Sequence, residues 1–327
     1  MPHRIKQLKS WLYSLPGMET FTIEPASGDA SFRRYFRLEV GEKRYIAMDA
    51  PPDREDAAPF IRVAESLEAI GLHVPHIHAR NLQEGFLLME DFGSELYLGR
   101  LDESTVDRLY GDALGALVVI QACGPREGLP EYDRELLMRE MELFREWLLG
   151  QQLGLSLTAD EHAMLDETFR WLADSALEQP RVCVHRDYHS RNLMVTPRHN
   201  PGILDFQDAV LGPVTYDLVS LLRDCYIAWP SERVEAWAMG YFELALQSGV
   251  LHKEHEHQFL RWFDLMGVQR HLKAGGIFAR LNQRDGKPGY LGDIPRTLNY
   301  ILALKDGYPG LAGLTRLLQK RVMPLFD

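Results

Sequence analysis

From Cys183 to Leu211 the chain reads CVHRDYHSRNLMVTPRHNPGILDFQDAVL. His185-Arg186-Asp187 closes the short apolar run Arg181 to Val184, and Asn192 follows five residues after Asp187. Leu193 to Val195 and Gly202 to Leu204 are two further apolar runs, joined by Thr196-Pro197-Arg198-His199-Asn200-Pro201, a strong turn signal. They pair as a hairpin. In a hairpin the residue entering the first strand and the residue leaving the second lie at the same end, which makes Asn192 and Asp205 neighbours. Two side-chain oxygen ligands, with room left for water and phosphate oxygens, suit Mg²⁺. Asp187, a short loop upstream, is then placed to take a proton from a substrate hydroxyl. His-Arg-Asp alone reads as an ordinary loop. The asparagine spacing, the hairpin and the second acid together form the constellation that phosphoryl transfer requires, and they point to a small-molecule kinase.

The pattern H-x-D-x-x-x-x-N followed by hydrophobic-D-F-x-D resembles the aminoglycoside phosphotransferase and choline kinase branch of the kinase-like superfamily. The resemblance implies a catalytic base at Asp187 and Mg²⁺ ligands at Asn192 and Asp205. Protein kinases carry Asp-Phe-Gly at the second site, whereas this chain has Asp205-Phe206-Gln207-Asp208. Asp208 is a candidate second-shell or second-metal residue. The implied fold is α+β and two-lobed, protein-kinase-like, with a small N-terminal β-rich lobe (residues 1–92) and a larger, mostly α C-terminal lobe (93–327). The active site is expected in the cleft between them.

Composition fits that expectation. The chain has 327 residues, 46% of them hydrophobic, with strand-like segments confined largely to the first third, enough for two cores. A formal net charge of −11 argues against a nucleic-acid or anionic-membrane partner. Cys123, Cys183 and Cys225 are odd in number and far apart, which speaks against a disulfide framework and for a reducing compartment. No apolar run approaches a membrane span, and MPHRIKQLKSW lacks a signal-peptide core, so a cytoplasmic location is expected.

Taken in order, Ile5 to Leu15 predicts an amphipathic helix ended by Pro16-Gly17. Phe21 to Pro25 and Phe32 to Val40 alternate like strands around Ser27-Gly28-Asp29-Ala30-Ser31, where a kinase-like fold puts its phosphate-covering loop. By itself that segment would serve equally as a plain hairpin turn. The next strand, Lys43 to Ala50, departs from the family: Met48 stands where a lysine usually holds the α- and β-phosphates. This leaves open whether Arg33, Arg34 or Arg44 supplies the missing charge, and it is the one feature favouring a catalytically inactive nucleotide-binding module. Asp56 to Ala69 places Phe60, Val63, Ala64 and Leu67 on one helical stripe. Glu65, on the same helix, is either a lysine-pairing acid or a solvated one. Met89-Glu90-Asp91-Phe92-Gly93 resembles the hinge whose backbone binds the adenine edge, making Glu90 and Phe92 nucleotide-site candidates. His73, His76 and His78 read as structural or exposed histidines. Helices are expected over Thr105 to Gln121, Arg134 to Leu149, Ala159 to Leu177 and Tyr216 to Trp229. Asp217, in the first turn of the last, is the acid that would brace the catalytic loop, a part His185 is also suited to play.

Acceptor contacts are sought in two C-terminal polar and aromatic stretches: Arg223, Asp224, Tyr226 and Trp229, then Arg270, Lys273 and Arg280. Cations dominate, which fits an acidic or neutral acceptor better than a polycationic antibiotic. RHLKAGGIFARL, RDGKPGYLGDIPRTLNYI, GDASFRRYF and YIAMDAPP are similar to the bacterial anomeric amino-sugar kinases. That resemblance runs across nearly the whole chain and includes Met48. It implies ATP-dependent phosphorylation of N-acetylmuramate and N-acetylglucosamine to the α-1-phosphate in cell-wall recycling. The residues alone reach only a kinase for a small, non-cationic hydroxylated molecule; an aminoglycoside- or choline-type acceptor is the alternative.

Overall fold

The computed structural model describes residues 2–28 and 32–326, and the chain divides into two compact units, Met1–Arg100 with Asn192–Asp208, and Leu101–Arg191 with Ala209–Asp327. This division falls eight residues after the boundary expected at Phe92, and it groups the 192–208 hairpin with the N-terminal residues.

In the first unit, helix α1 (Pro2–Tyr13) precedes strands β1 (Thr22–Gly28), β2 (Arg34–Val40) and β3 (Lys43–Asp49), helix α2 (Ala58–Ala69), and strands β4 (Ile77–Asn81) and β5 (Phe86–Glu90). These strands form an antiparallel sheet in the order β1-β2-β3-β5-β4. Gly41, at φ +60°, opens the two-residue turn joining β2 to β3; a glycine there gives the mirror-image turn whose twist matches the strands. Leu8 and Leu12 of α1 bury against Leu38, Ala47, Phe86 and Leu88 of the sheet. Helix α2 buries Phe60, Val63, Ala64 and Leu67, the stripe read from its sequence, together with Ile61.

The hairpin pairs Leu193–Met194 with Gly202–Ile203. Its backbone is sewn to the first unit: Ile203 N–H donates to His73 O at 2.8 Å, Val195 N–H donates to Glu95 O at 2.7 Å, and Leu96 bridges Met194. Gly202 packs so tightly on Phe92 that a Cβ would lie 2.7 Å from Cδ2 of that ring. Those local bonds explain why the hairpin belongs with residues far upstream of it.

The second unit is mainly helical: α3 (Val106–Cys123), α4 (Arg134–Leu143), α5 (Ala159–Leu177), α6 (Tyr216–Leu222), α7 (Ser231–Gln247), α8 (Glu256–Asp285) and α9 (Ile294–Ala303), with a strand pair of Arg181–Val184 and Val210–Pro213. Helix α5 begins at a reciprocal cap: Glu161 N–H donates to Thr158 Oγ1, and Thr158 N–H donates to the Glu161 carboxylate. Two expected helices end sooner than read. After α4 the backbone widens into a π-helical turn over Phe144–Gln152. Helix α6 stops at Leu222 rather than running to Trp229, because the Asp224 carboxylate accepts the backbone N–H groups of Tyr226 (3.0 Å) and Ser190 (2.9 Å), a side-chain alternative to the helical ladder. No helix among the described residues is long and apolar enough to cross a membrane.

Candidate active site

In the second unit, the strand Arg181–Val184 delivers the chain into the His185-Arg186-Asp187 loop. Asp217, in the first turn of α6, is fully buried and its carboxylate accepts both His185 N–H (2.6 Å) and Arg186 N–H (2.9 Å). Burial pushes the Asp217 carboxyl up to about 6 against the opposing pull of His185 and those two N–H groups. Arg186 adopts the left-handed conformation at φ +77°, and Asp187 N–H donates to His185 Nδ1 at 3.3 Å. Just beyond, Tyr188 Oη donates to Ala113 O at 2.8 Å, tying the loop to α3.

Asp187 is partly buried. Burial pushes its carboxyl up, but the charges of Lys273, His189, Arg270 and Arg186 together hold it below the ordinary carboxylate value. The group is therefore an anion at neutral pH and a competent proton acceptor. Glu140 of α4 underlies the loop, paired with Arg186 at 2.6 Å and Lys273 at 3.2 Å; Lys273 Nζ also donates to Tyr216 Oη at 2.8 Å.

In the first unit, Leu204 N–H donates to Asn192 O at 2.9 Å and closes the mouth of the hairpin. That brings Asn192 Nδ2 to 3.2 Å from Asp205 Oδ2, the neighbourhood read from the hairpin. Asp205 is left-handed at φ +63°, and its Oδ1 accepts from Gln207 Nε2 at 2.7 Å; the same amide reaches Asp208 at 3.5 Å. Phe206 is buried and packs on Phe60 of α2, with ring centroids 4.9 Å apart, which fixes the hairpin's end. An amide and a carboxylate at this separation are hard oxygen donors few enough to leave a Mg²⁺ most of its coordination sphere for water and phosphate. The residues present fit that ion.

The three arginines offered for the missing charge part company. Arg34 is committed to Asp49, which Arg4 also pairs, and Arg44 lies exposed beside Glu39. Arg33 is buried, 3.2 Å from Glu55; burial lowers its pKa, but Tyr35, Glu55, Asp208 and Asp205 outweigh that and raise it. Met48 is a core residue of β3, between Tyr35 and Leu87 in register. Glu65 is exposed and pairs Arg80 at 2.8 Å. At the expected hinge, Glu90 N–H already donates to His76 O, and the Phe92 ring packs at a tilt against His73 with centroids 4.4 Å apart. Ser27 and Gly28 finish β1, paired with Tyr35 and Arg34, while Asp29, Ala30 and Ser31 lie outside the described residues.

Of the acceptor candidates, Arg223 pairs Asp264 at 2.5 Å, and Trp229 Nε1 donates to Tyr110 Oη at 3.2 Å. Arg270 and Asp224 are buried, with Arg270 Nη1 donating to Cys225 Sγ at 3.5 Å; Arg280 is half-buried. Tyr226 carries the Arg191 guanidinium 3.8 Å above its ring centroid and meets His189 edge-on. His189 and Arg191 carried no assignment in the sequence. Neither did Asp49, Glu140 and Arg186, whose partners lie far along the chain.

The profile of the phosphotransferase enzyme family matches residues 22–262, most of the chain, with Asp187, Asn192 and Asp205 inside the match. The chain belongs to this phosphotransferase family. This phosphotransferase is 48% identical over 299 residues to the N-acetylmuramate/N-acetylglucosamine kinase of Pseudomonas putida, covering 91% of this chain and 87% of that one. It is 47% identical over 327 residues to the protein of the same name from Pseudomonas aeruginosa, covering 96% of each. Among solved structures, a choline kinase from Streptococcus pneumoniae superposes with a TM-score of 0.63 at 16% identity, covering 91% of this chain and 98% of that one. At that identity the likeness speaks to fold, and it gives the phosphotransferase the kinase-like fold expected from its sequence.

Proposed function

We propose that the chain transfers the γ-phosphoryl group of ATP to the anomeric hydroxyl of N-acetylmuramate and N-acetylglucosamine, yielding the α-1-phosphate for cell-wall recycling. The observation that carries the choice of acceptor is near-full-length identity of 47–48% to proteins bearing the name of that kinase. The chemistry rests on Asp187. Ionised and held by a braced loop, it orients the acceptor hydroxyl and takes its proton as the sugar oxygen bonds to the γ-phosphorus and ADP departs.

Asn192 and Asp205 would hold Mg²⁺, which when bound neutralises charge on the β- and γ-phosphate oxygens. Arg33 takes the place of the strand lysine: it is buried, and Tyr35, Glu55, Asp208 and Asp205 favour its charge. The Ser27–Ser31 segment and the Glu90–Phe92 backbone serve the nucleotide. Asp217 braces the loop through two backbone N–H groups, and Asp208 supports Asp205 through Gln207. Acceptor recognition falls to Arg270 and Tyr226, with Arg191 stacked on the latter. Arg223, Asp224 and Trp229 have protein partners that make them scaffold for this site. The sugar-kinase reading makes the partner a small molecule and the working compartment the cytoplasm.

The test is ADP release from MgATP with a panel of hydroxylated acceptors. Release is expected with N-acetylmuramate and N-acetylglucosamine and not with choline or an aminoglycoside; the reverse pattern would overturn the assignment.

A further inference from the structure

Beneath the His185-Arg186-Asp187 loop lies a buried ionic cluster that the transfer step as described does not use. Glu140, on α4, is buried, and both its carboxylate oxygens are occupied. Oε1 meets Arg186 at 2.6 Å and Lys273 of α8 at 3.2 Å, while Oε2 accepts from Tyr132 Oη. Lys273 Nζ donates to Tyr216 Oη at 2.8 Å, and the Tyr132 and Tyr216 rings meet edge-on with centroids 5.2 Å apart. Gln269 Nε2 reaches Tyr132 Oη at 3.5 Å. A buried carboxylate bonded to two cations and a phenol is costly to build, since an ion pair taken out of water repays its desolvation only with good geometry. Replacing it by apolar side chains would be an ordinary solution for packing alone. Its placement supplies the reason. One of its cations is the residue immediately before Asp187, held at φ +77° where an L side chain is strained, and the other lies within electrostatic reach of Asp187.

We propose that Glu140 and Lys273 are positioning residues for phosphoryl transfer: one buried carboxylate holds Arg186 in its left-handed conformation and fixes the Lys273 ammonium where its charge acts on Asp187. This rests on the reading of Asp187 as the base. The groups facing Asp187 come from each surrounding element. Its own loop gives His185, Arg186 and His189; α6 gives Asp217, which opposes ionisation, and α8 gives Arg270 and Lys273. Lys273 is the strongest of the charges that favour the ionised carboxylate, with Glu140 holding it in place.

The sign follows. Removing the ammonium makes Asp187 easier to protonate, so activity is lost at higher pH as acid is added. The experiment compares wild type, Lys273→Met, Lys273→Arg and Glu140→Gln for kcat, KM for ATP and the pH profile of kcat, with folding checked by circular dichroism. Lys273→Met is expected to lower kcat by about tenfold or more, leave KM for ATP within about twofold, and move the acid limb to higher pH. Lys273→Arg, which keeps the charge, is expected to return the acid limb toward its wild-type position. Glu140→Gln is expected to lower kcat by a similar factor. Acid limbs that superimpose for wild type and Lys273→Met, or equal loss of kcat in Lys273→Arg and Lys273→Met, would overturn the positioning role. If the single variants do not fold, Glu140→Gln with Lys273→Met, which removes both members of the pair, carries the same comparison; failure of that protein to fold assigns the cluster to stability and overturns the proposal. A wild-type protein that transfers to no amino sugar overturns the functional reading as well, whereas an active wild type with unaltered variants overturns this inference alone.

Discussion

Two opposing effects meet at Asp187: burial disfavours the carboxylate, and Lys273, His189, Arg270 and Arg186 favour it more strongly. As a base the group works only ionised, and its acidity lies below the ordinary carboxylate value. The account therefore expects Asp187 itself to limit turnover only below about pH 4, the usual aspartate range, with any earlier fall near pH 6 belonging to Asp217 and the loop it braces. Asp187→Asn keeps the shape and removes the base; a loss of roughly 10²–10⁴-fold in kcat is expected, with an unchanged circular dichroism spectrum. Near-normal turnover in that variant would remove Asp187 from the chemistry. Arg33 carries a second expectation. Arg33→Met should raise KM for ATP or lower kcat by about tenfold or more, whereas Arg44→Met, at an exposed site beside Glu39, should leave both within about twofold. Equal effects of the two substitutions would contradict the assignment of the phosphate charge.

Helix α8 is the element on which the second unit depends, since it contributes Gln269, Arg270 and Lys273 and packs along α4 and the π-helical turn that follows it. Gly276 makes that approach workable: a Cβ there would sit 2.3 Å from the Leu143 carbonyl carbon and 2.5 Å from its oxygen, both immovable backbone. Gly276→Ala is expected to cost about 1–3 kcal/mol, read as a lower urea midpoint; an unchanged midpoint would show that the helices separate freely. Glu140→Gln is expected to cost about 3–5 kcal/mol at pH 7, because Arg186 and Lys273 would lose a shared partner. Burial pushes the Glu140 carboxyl up, but Lys273 and Arg186 hold it below its ordinary value. Its stabilisation is thus present above the unfolded value of about 4.3 and fades as pH falls through the lower folded one, so the deficit of the variant should shrink in acid. Element boundaries were legible where the signal is local: the Thr158–Glu161 cap starts α5 where its sequence does. Asp224 ended α6 early by bonding a residue on a separate loop, and no periodicity encodes that.

For the whole molecule, the fold class was legible because strand alternation and helical periodicity segregate along the chain, and the neighbourhood of Asn192 and Asp205 because the two residues close one hairpin. The rest of the site is non-local. Glu140 meets Arg186 from 46 residues away, so neither sequence neighbourhood hints at the pair. The choice among Arg33, Arg34 and Arg44 turned on burial and on which acids face each: Asp49 engages Arg34, Glu39 lies beside exposed Arg44, and buried Arg33 has Glu55, Asp208 and Asp205 near it. A net charge of −11 coexists with the cations proposed for the acceptor, buried Arg270 and Arg191 over Tyr226, which suits an acceptor that is neutral or carries a carboxylate. The most direct test is ³¹P NMR of the product formed from MgATP and N-acetylmuramate, run in parallel with Asp187→Asn. The account expects a sugar phosphate whose phosphorus couples to the anomeric proton, formed by wild type and absent with the variant. Phosphorus coupled to any other sugar position, or equal product from the two proteins, would contradict it.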